Sequence, residues 1–299
     1  MKLGFIGLGR MGHAMVENLL EKGHEVVAYD VNQDAVQDLA GKVATGAASI
    51  ADLVAELDTP RAVWLMVTRK FVDNVLNELT PLLTEGDTVI DGGNSFYKDS
   101  IRRYDELQTK GIHFLDTGTS GGIEGARHGA CMMIGGEREV FDRFESLYRD
   151  MCVEDGYGYM GGPGAGHFVK MIHNGVEYGM MGAIAEGVSA IRDHHEQFGT
   201  DLETVTKVYA HGSIIESRLM TWLLDSYQTA GYLDGIEGTV PYGETEEEME
   251  HVVEIADTPV LKAAVDQRVA TRENATYTGK LIAAMRNQFG GHAVTKKEK

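Results

Sequence analysis

The first half of the chain alternates short apolar runs with stretches of helical periodicity. Apolar runs bounded by turn residues predict buried strands, and apolar residues three or four apart predict helices that cover a sheet. The predicted strands lie at residues 3–6, 25–29, 62–67, 88–91, 113–115 and 131–134, with helices between them at 11–22, 33–40, 50–57 and 71–83. This alternation is typical of βαβ units, so we expect an α/β fold with a mostly parallel, doubly wound sheet.

The pattern changes at the glycine-dense stretch 156–166, beyond which we predict almost no strands. Helical periodicity covers 166–193 and returns at 202–211, 217–224, 244–256, 259–271 and 278–289. We therefore expect an α/β domain over residues 1–162 and an all-helical domain over residues 163–299. The acidic run at 244–250 is interpreted as a solvated helix face and not as a metal site.

Composition and charge narrow the classes of protein. The chain has 299 residues, 43% of them hydrophobic, which excludes a largely disordered protein. Its net charge of −19 disfavours nucleic-acid and membrane-surface partners, and an anionic substrate would need a local cluster of cations. Two cysteines form no disulfide framework, and neither a leader-like segment nor an 18-residue apolar run is visible. We expect a cytoplasmic protein with reduced thiols.

A glycine fingerprint follows the first predicted strand and opens the first helix. It reads Gly7, Leu8, Gly9, Arg10, Met11 and Gly12. In such a strand–turn–helix, the first glycine permits the turn, the second admits a pyrophosphate and the third lets the helix pack on the strand. The amide groups and dipole of the helix N-terminus would then bind the phosphates.

Asp30 ends the second predicted strand, 18 residues after the last glycine of the fingerprint. A carboxylate here accepts hydrogen bonds from a ribose diol and repels a 2′-phosphate, which favours NAD, with NADP as a weaker alternative. Two other interpretations remain open. Asp30 would merely cap the helix that begins near Gln33, or Arg10 would tolerate the extra phosphate.

A polar stripe runs along the long helix predicted at 166–193. Spacings of three, four, seven and eight residues place its members on one side of the helix. The members are Lys170, His173, Asn174, Glu177 and Tyr178. Because the rest of the helix is apolar and rich in glycine, we interpret the stripe as a buried reaction site. The alternative is a solvent-facing pair of opposite charges.

Two glycine-rich segments follow predicted strands, at the edge where open α/β sheets bind ligands. They are Asp91-Gly-Gly-Asn-Ser95 and the loop at 119–125, which begins Thr-Ser-Gly-Gly. Each offers backbone amides and short polar side chains, and each could equally be a plain turn before a helix.

These segments together resemble decarboxylating 6-phosphogluconate dehydrogenase. The resemblance rests on the fingerprint, on Asp91-Gly-Gly-Asn-Ser95, on Ser120-Gly-Gly122, on the run from Gly164 to Tyr178 and on Arg286-Asn-Gln-Phe-Gly-Gly-His292. It covers nearly the whole chain and points to the short form of that family, which has one helical domain where the long form has a duplicated one. In the long form, a loop of the second helical domain brings a lysine near the substrate, and we place no counterpart of that loop in this chain. Related β-hydroxyacid dehydrogenases share the fingerprint, the serine–glycine loop and the lysine, but they usually lack the His-Asn-Gly-x-Glu-Tyr run.

The resemblance implies a Rossmann-type dinucleotide-binding domain over residues 1–162 and an all-helical domain for substrate binding and oligomerisation over residues 163–299. It also implies a reaction. Lys170 would be the general base at the C3 hydroxyl of 6-phosphogluconate during NAD reduction, and it would then polarise the 3-keto group as CO2 leaves. Glu177 would protonate C1 of the resulting enediol to give ribulose 5-phosphate. A desolvated lysine and a buried glutamate suit these two roles, and no metal is required.

The resemblance also implies binding residues. Substrate contacts would come from Asn94, Ser120, Gly121, Gly122, His173 and Asn174. The phosphate group would be bound by Tyr178, Arg268, Arg286 and His292, with Arg272 as the alternative register for Arg268. Val67, Thr68 and Asn94 would contact the cofactor. Arg69 and Lys70 continue the loop that begins at Val67, and they depart from the small residues that relatives usually have there.

In the family, the last arginine and histidine come from a neighbouring subunit, which implies a homodimer or homotetramer, although a shortened helical domain could change which chain supplies them.

Two other functions are weighed against the leading one. The first is a β-hydroxyacid dehydrogenase for an unphosphorylated acid, and Arg286 and His292 argue against it. The second is a non-catalytic dinucleotide-binding sensor, and the presence of Lys170 and Glu177 argues against that.

Overall fold

A computed structural model describes residues 1–40 and 44–296 of the chain. It divides into two compact units, Met1–Lys170 and Met171–Lys299. The boundary between the units falls inside one long helix, α8 (Ala165–Asp193).

The first unit is built on an eight-stranded sheet of order β3-β2-β1-β4-β5-β6-β7-β8. All neighbouring strands are parallel except β6 and β7, which are antiparallel. The expected doubly wound α/β sheet is therefore confirmed. The strands are β1 (Lys2–Ile6), β2 (Glu25–Tyr29), β3 (Thr45–Gly46), β4 (Ala62–Leu65), β5 (Thr88–Asp91), β6 (His113–Ser120), β7 (Ala130–Gly136) and β8 (Cys152–Gly161).

Helices cover both faces of this sheet, because alternate residues of the central strands point to opposite sides. Phe5 and Trp64 stack within the core on one face, with ring centroids 6.2 Å apart, while Ile6 and Leu65 are buried in the core on the other. The covering helices are α1 (Arg10–Glu21), α2 (Gln33–Ala40), α3 (Ile50–Ala55), α4 (Arg69–Leu79), α5 (Tyr97–Gln108), α6 (Gly122–His128) and α7 (Arg138–Met151).

Strand β8 was not predicted, because its glycines lower the strand propensity of residues 152–161. Tyr157 and Tyr159 alternate along it, and both pack on the core. The Tyr159 hydroxyl also donates to the carbonyl of Gly136 at 2.9 Å. Tyrosines two residues apart thus specify an edge strand where composition indicated a linker.

The second unit, over its described residues, is helical apart from one isolated β-bridge between Ile236 and Lys296. Its core includes Met181, Leu223 and Leu281, all fully buried. After α8 come α9 (His195–Phe198), α10 (Leu202–Tyr209), α11 (Arg218–Gln228), α12 (Glu244–Ile255), α13 (Pro259–Glu273) and α14 (Tyr277–Gly290). None of the helices described here is long and apolar enough to cross a membrane.

Candidate active site

The glycine fingerprint forms a tight turn between β1 and α1. Gly7 adopts a positive φ of 102°, and a methyl group there would lie 2.5 Å from the carbonyl oxygen of Met66. A methyl group at Gly12 would lie 2.0 Å from the carbonyl oxygen of Gly7. These two glycines are therefore required by the fold itself.

Gly9 differs from its two neighbours in the fingerprint. Its φ of −60° and ψ of 178° suit any residue, and no described atom lies within 4 Å of the position of an added methyl group. The fold therefore gives no reason for glycine at this exposed position. Open space beside the N-terminus of α1 fits the approach of a pyrophosphate to the backbone.

Substituting Gly9 and Gly12 by alanine should separate binding from folding. Gly9→Ala is expected to change the free energy of unfolding by less than about 0.5 kcal/mol, as at unconstrained surface positions. It should raise the Kd for NAD on the order of tenfold, as one ill-fitting methyl group does in a binding site. Gly12→Ala should cost about 1–3 kcal/mol of stability through overpacking. Calorimetric titration and thermal unfolding measure the two effects, and a Gly9→Ala protein with unchanged NAD affinity would contradict this use of the turn.

The Asp30 carboxylate organises the fingerprint turn. It accepts hydrogen bonds from the backbone amides of Leu8, at 2.6 Å, and Asn32, at 2.7 Å. The amide of Asp34 in the first turn of α2 bonds instead to the side chain of Asn32, at 3.2 Å. Asn32 therefore provides the side-chain cap that the alternative interpretation gave to Asp30. Carboxylate lone pairs on Asp30 remain for a ribose diol.

Residues predicted to contact the cofactor lie near this turn. A methyl group at Gly7 would lie 2.9 Å from a side-chain carbon of Val67, and one at Gly93 would lie 2.6 Å from the Val67 carbonyl oxygen. Val67 thus packs against both glycine-rich turns. Thr68 is the N-cap residue of α4, and Arg10 is exposed at the start of α1.

The loop after β5 is held by a buried ion pair that the sequence analysis missed. Fully buried Asp91 accepts hydrogen bonds from the Ser95 hydroxyl at 2.7 Å and from the Gly93 amide at 3.2 Å. The buried Arg103 guanidinium donates to the same carboxylate at 3.3 Å and to Asp73 at 2.7 Å. These bonds fix the backbone on both sides of Asn94.

The loop after β6 lies next to the loop after β5, because the two strands are neighbours. The Thr119 hydroxyl donates to the Gly92 carbonyl at 3.3 Å. Gly121 and Gly122 have positive φ angles of 116° and 64°, which lets the chain turn directly from Ser120 into α6.

Lys170 lies close to this loop through the packing of α8 on β6. A methyl group at Gly118 would lie 2.3 Å from the Cβ of Lys170, so only glycine allows this approach. The fully buried carboxylate of Asp116 accepts hydrogen bonds from the amides of Gly164, at 2.7 Å, and His167, at 2.9 Å. Asp116 thereby caps the N-terminus of the helix that carries Lys170.

His167 anchors the same helix one turn before Lys170. Its Nε2 lies 3.1 Å from the carbonyl oxygen of Gly93, so this nitrogen carries the proton and donates. Its Nδ1 lies 2.7 Å from the Ser100 hydroxyl oxygen, within hydrogen-bond distance. Three residues missed in the sequence analysis, Asp116, His167 and Ser100, therefore position Lys170. The available signal was an aspartate directly after the predicted strand at 113–115.

The remaining members of the polar stripe lie on α8 within the second unit. His173 Nδ1 is 3.8 Å from Glu177 Oε2 and 3.4 Å from the Asn174 side-chain oxygen. The Asn174 side-chain amide donates to Glu248 at 2.8 Å. Lys170 is only 8% exposed and the Glu177 side chain 20%, which contradicts the alternative of a solvent-facing charge pair.

Buried arginines surround Tyr178. The Arg286 Nε donates to the Tyr178 hydroxyl at 2.8 Å, and the Arg268 guanidinium lies 4.9 Å from the tyrosine ring centroid. A methyl group placed on Gly243 would lie 3.7 Å from the Nη2 of Arg268 and 4.0 Å from the Nη2 of Arg286, so the two guanidiniums converge there. Burial lowers the pKa of Arg268, and the positive charges of Arg286 and Arg272 lower it further. Guanidiniums that converge in this way offer donors and charge suited to an anion.

The acidic run at the start of α12 is not the solvated face that we expected. Glu246 and Glu248 are 1% and 2% exposed. Glu246 Oε2 lies 3.0 Å from Arg268 Nε and also pairs with Arg272 Nη2. The interpretation was wrong because the counter-ions, Arg268 and Arg272, lie on α13, more than 20 residues away in the sequence. We call Arg268, Arg272 and Arg286 the arginine cluster.

The other residue predicted to bind phosphate, His292, lies beyond the end of α14. Gly291 turns the chain with a φ of 58°, and the His292 ring packs edge-on against Phe289 with centroids 5.6 Å apart. Its backbone carbonyl accepts from the Asn287 side chain at 2.8 Å. Arg286, in contrast, reaches Tyr178 of its own chain.

Comparison with known proteins agrees with this arrangement. Residues 2–161 match the NAD-binding domain of 6-phosphogluconate dehydrogenase, and residues 166–195 match the C-terminal domain of that enzyme. The chain belongs to the 6-phosphogluconate dehydrogenase family. The first unit is accordingly an NAD-binding domain, and the protein is an enzyme of this family.

Two relatives are similar over the full length of the chain. One is the NAD(+)-dependent, decarboxylating 6-phosphogluconate dehydrogenase of Haloferax volcanii, 37% identical over 306 residues and covering all of both chains. The other is YqeC of Bacillus subtilis, which carries the 6-phosphogluconate dehydrogenase name provisionally. It is 46% identical over 299 residues, which are 99% of this chain and 100% of YqeC.

Solved structures give the same fold. The 6-phosphogluconate dehydrogenase of Plasmodium falciparum superposes with a TM-score of 0.80 at 28% identity, over 91% of this chain and 62% of that one. The 3-hydroxyisobutyrate dehydrogenase of Mycobacterium tuberculosis superposes with a TM-score of 0.72 at 21% identity, over 95% of this chain and 99% of that one. The second likeness concerns the fold alone.

Proposed function

We propose that this enzyme oxidatively decarboxylates 6-phosphogluconate to ribulose 5-phosphate and CO2, with NAD as the oxidant. The observation that carries the proposal is the grouping of Arg268 and Arg286 around Tyr178. Tyr178 follows Glu177 directly on the helix that also carries Lys170. One helix thus carries a candidate base, a candidate acid and part of an anion site, as a phosphorylated hydroxy acid requires.

In the oxidation step, Lys170 is the base. Its amine takes the proton of the C3 hydroxyl while C3 loses hydride, and the C3 oxygen becomes a carbonyl. NAD, when bound, accepts that hydride. Asp116 and His167 hold the first turn of α8, so the position of Lys170 is set by buried hydrogen bonds. Gly118 leaves room for the lysine stem against the sheet.

The decarboxylation and protonation steps use both ends of the stripe. The new carbonyl is β to the carboxylate, so cleavage of the carboxyl carbon bond releases CO2 and leaves an enediol. Protonated Lys170 gives its proton to the C3 oxygen as negative charge develops there. Glu177 then gives its proton to the carbon that lost CO2, which is C1 of the product, and the hydroxyl on the former C3 returns its proton to Lys170 to form the ketone of ribulose 5-phosphate. Seven residues of helix separate the two side chains by about 10 Å along the axis, enough for a small polyol.

The cofactor preference follows from Asp30 and its neighbours. A carboxylate near the ribose 2′ position repels a 2′-phosphate by about 4 kcal/mol at ~4 Å and an effective dielectric constant of 20, before solvent reduces it. The next residue, Val31, is 89% exposed and carries no charge that would offset this.

We expect catalytic efficiency with NAD to exceed that with NADP roughly tenfold. The double variant Asp30→Ser/Val31→Arg should shift the ratio toward NADP, as steady-state kinetics with both cofactors will measure. Asn32→Ala removes only the helix cap and serves as the matched control. A wild-type preference for NADP, or an unmoved ratio in the double variant, would assign the choice to Arg10 or Arg69.

The proposed function is tested by following reduced nicotinamide by its absorbance, with 6-phosphogluconate and each cofactor in turn. Release of CO2 in equal amount with NADH supports the full reaction. NADH without CO2 would indicate a simple β-hydroxyacid dehydrogenase. Turnover of an unphosphorylated hydroxy acid in preference to 6-phosphogluconate would contradict the role given to the arginine cluster.

A further inference from the structure

The arginine cluster already contains an anion of its own. Glu246 is 1% exposed and pairs with both Arg268 and Arg272. The Arg286 guanidinium lies 5.9 Å from the centroid of the Tyr178 ring. Two of the three guanidiniums thus contact the carboxylate, and the three arginines and Glu246 together carry a formal charge of plus two. The excess of two positive charges equals the charge of a phosphate monoester dianion.

The pairing within the cluster is incomplete. Arg268 is 1% exposed, and its Nη1 has no hydrogen-bond partner among the described residues, although its Nη2 donates to the Pro241 carbonyl at 2.8 Å. A buried guanidinium nitrogen without an acceptor costs free energy, since it has lost its water. An additional acceptor oxygen brought by a ligand would satisfy it.

We propose that Glu246 is a specificity-determining residue that competes with the substrate's phosphate group for the arginine cluster. This inference rests on the proposed phosphorylated substrate. The carboxylate compensates the buried arginines when no phosphate is present, and phosphate binds against its repulsion. Glu246 thereby sets the affinity for phosphate below what three arginines alone would give.

Substitutions that change the cluster charge one unit at a time test this inference. The probe is inorganic phosphate, and its Kd is measured by calorimetry on the full-length protein. Glu246→Gln raises the cluster charge to three and should lower the Kd roughly tenfold, because a like charge beside the ligand is removed. Arg272→Gln lowers the cluster charge to one and should raise the Kd by a similar factor.

The double variant Glu246→Gln/Arg272→Gln has the wild-type cluster charge, and its Kd should return to within about threefold of wild type. The double variant can also replace Glu246→Gln if that single variant does not fold. It removes Arg272, which is the partly exposed partner of Glu246, together with the carboxylate. Comparing Arg272→Gln with the double variant then measures the effect of Glu246 in a charge-reduced protein. Equal or weaker phosphate binding after loss of Glu246 in both backgrounds would overturn the inference.

Turnover separates this inference from the proposed function. Glu246→Gln should lower the KM for 6-phosphogluconate and leave the KM for gluconate, which lacks the phosphate, within about twofold. If wild type does not oxidise 6-phosphogluconate but the phosphate affinities follow the cluster charge, the proposed function fails and the role of Glu246 stands. If turnover is observed but the affinities ignore the charge, the role of Glu246 fails alone.

Discussion

Replacing Lys170 by methionine is expected to reduce kcat by roughly 10²–10⁴-fold, the usual contribution of a positioned general base. Methionine is unbranched and of similar length, so the packing of the side-chain stem against Gly118 should be retained. The Kd for NAD should stay within about twofold of wild type, because the fingerprint at Gly7–Gly12 is untouched. Stopped-flow absorbance with saturating 6-phosphogluconate and NAD measures the loss.

The matched control is Lys262→Met, which removes a lysine from the exposed side of α13. Lys262 pairs with Asp266 one turn away, at 2.6 Å, and its side chain is 58% exposed. Its kcat should remain that of wild type. A Lys170→Met protein that keeps more than about a tenth of wild-type activity would not be compatible with general-base catalysis by this lysine.

Replacing Arg286 by alanine should raise the KM for 6-phosphogluconate about 10–100-fold, the range of a charge-assisted hydrogen bond to phosphate. The KM for gluconate should change far less, because gluconate has no phosphate to lose. Arg286 is 5% exposed and donates to Tyr178, so its loss removes both a charge and the partner that orients the tyrosine.

Two further variants separate charge from geometry. Arg286→Lys keeps the charge without the planar donor fork, so its KM for 6-phosphogluconate should lie between those of wild type and the alanine variant. Arg138→Ala removes an exposed arginine that pairs with Asp142 and should leave both KM values unchanged. Equal increases in KM for the phosphorylated and unphosphorylated acids would place Arg286 away from the phosphate.

The sequence by itself determined the parts of this protein that depend on local pattern. Apolar runs predicted six of the eight strands of the first unit, because strands that are covered on both faces consist mostly of apolar residues. Spacings of three and four residues gave α8 and its polar stripe. The fingerprint predicted the turn at Gly7–Gly12, since the positive φ of Gly7 and the close approach of Gly12 to the Gly7 carbonyl lie within six residues of chain.

Tertiary structure decided whatever depends on partners far away in the chain. Asp116 caps α8 by accepting from the amide of Gly164, 48 residues later in the chain, and the sequence around these two residues does not predict that pairing. The acidic run at the start of α12 has the composition of a solvated face, yet Glu246 is buried because Arg268 and Arg272 reach it from the next helix. Burial of a charge is set by its counter-ions, and only the fold brings those counter-ions together.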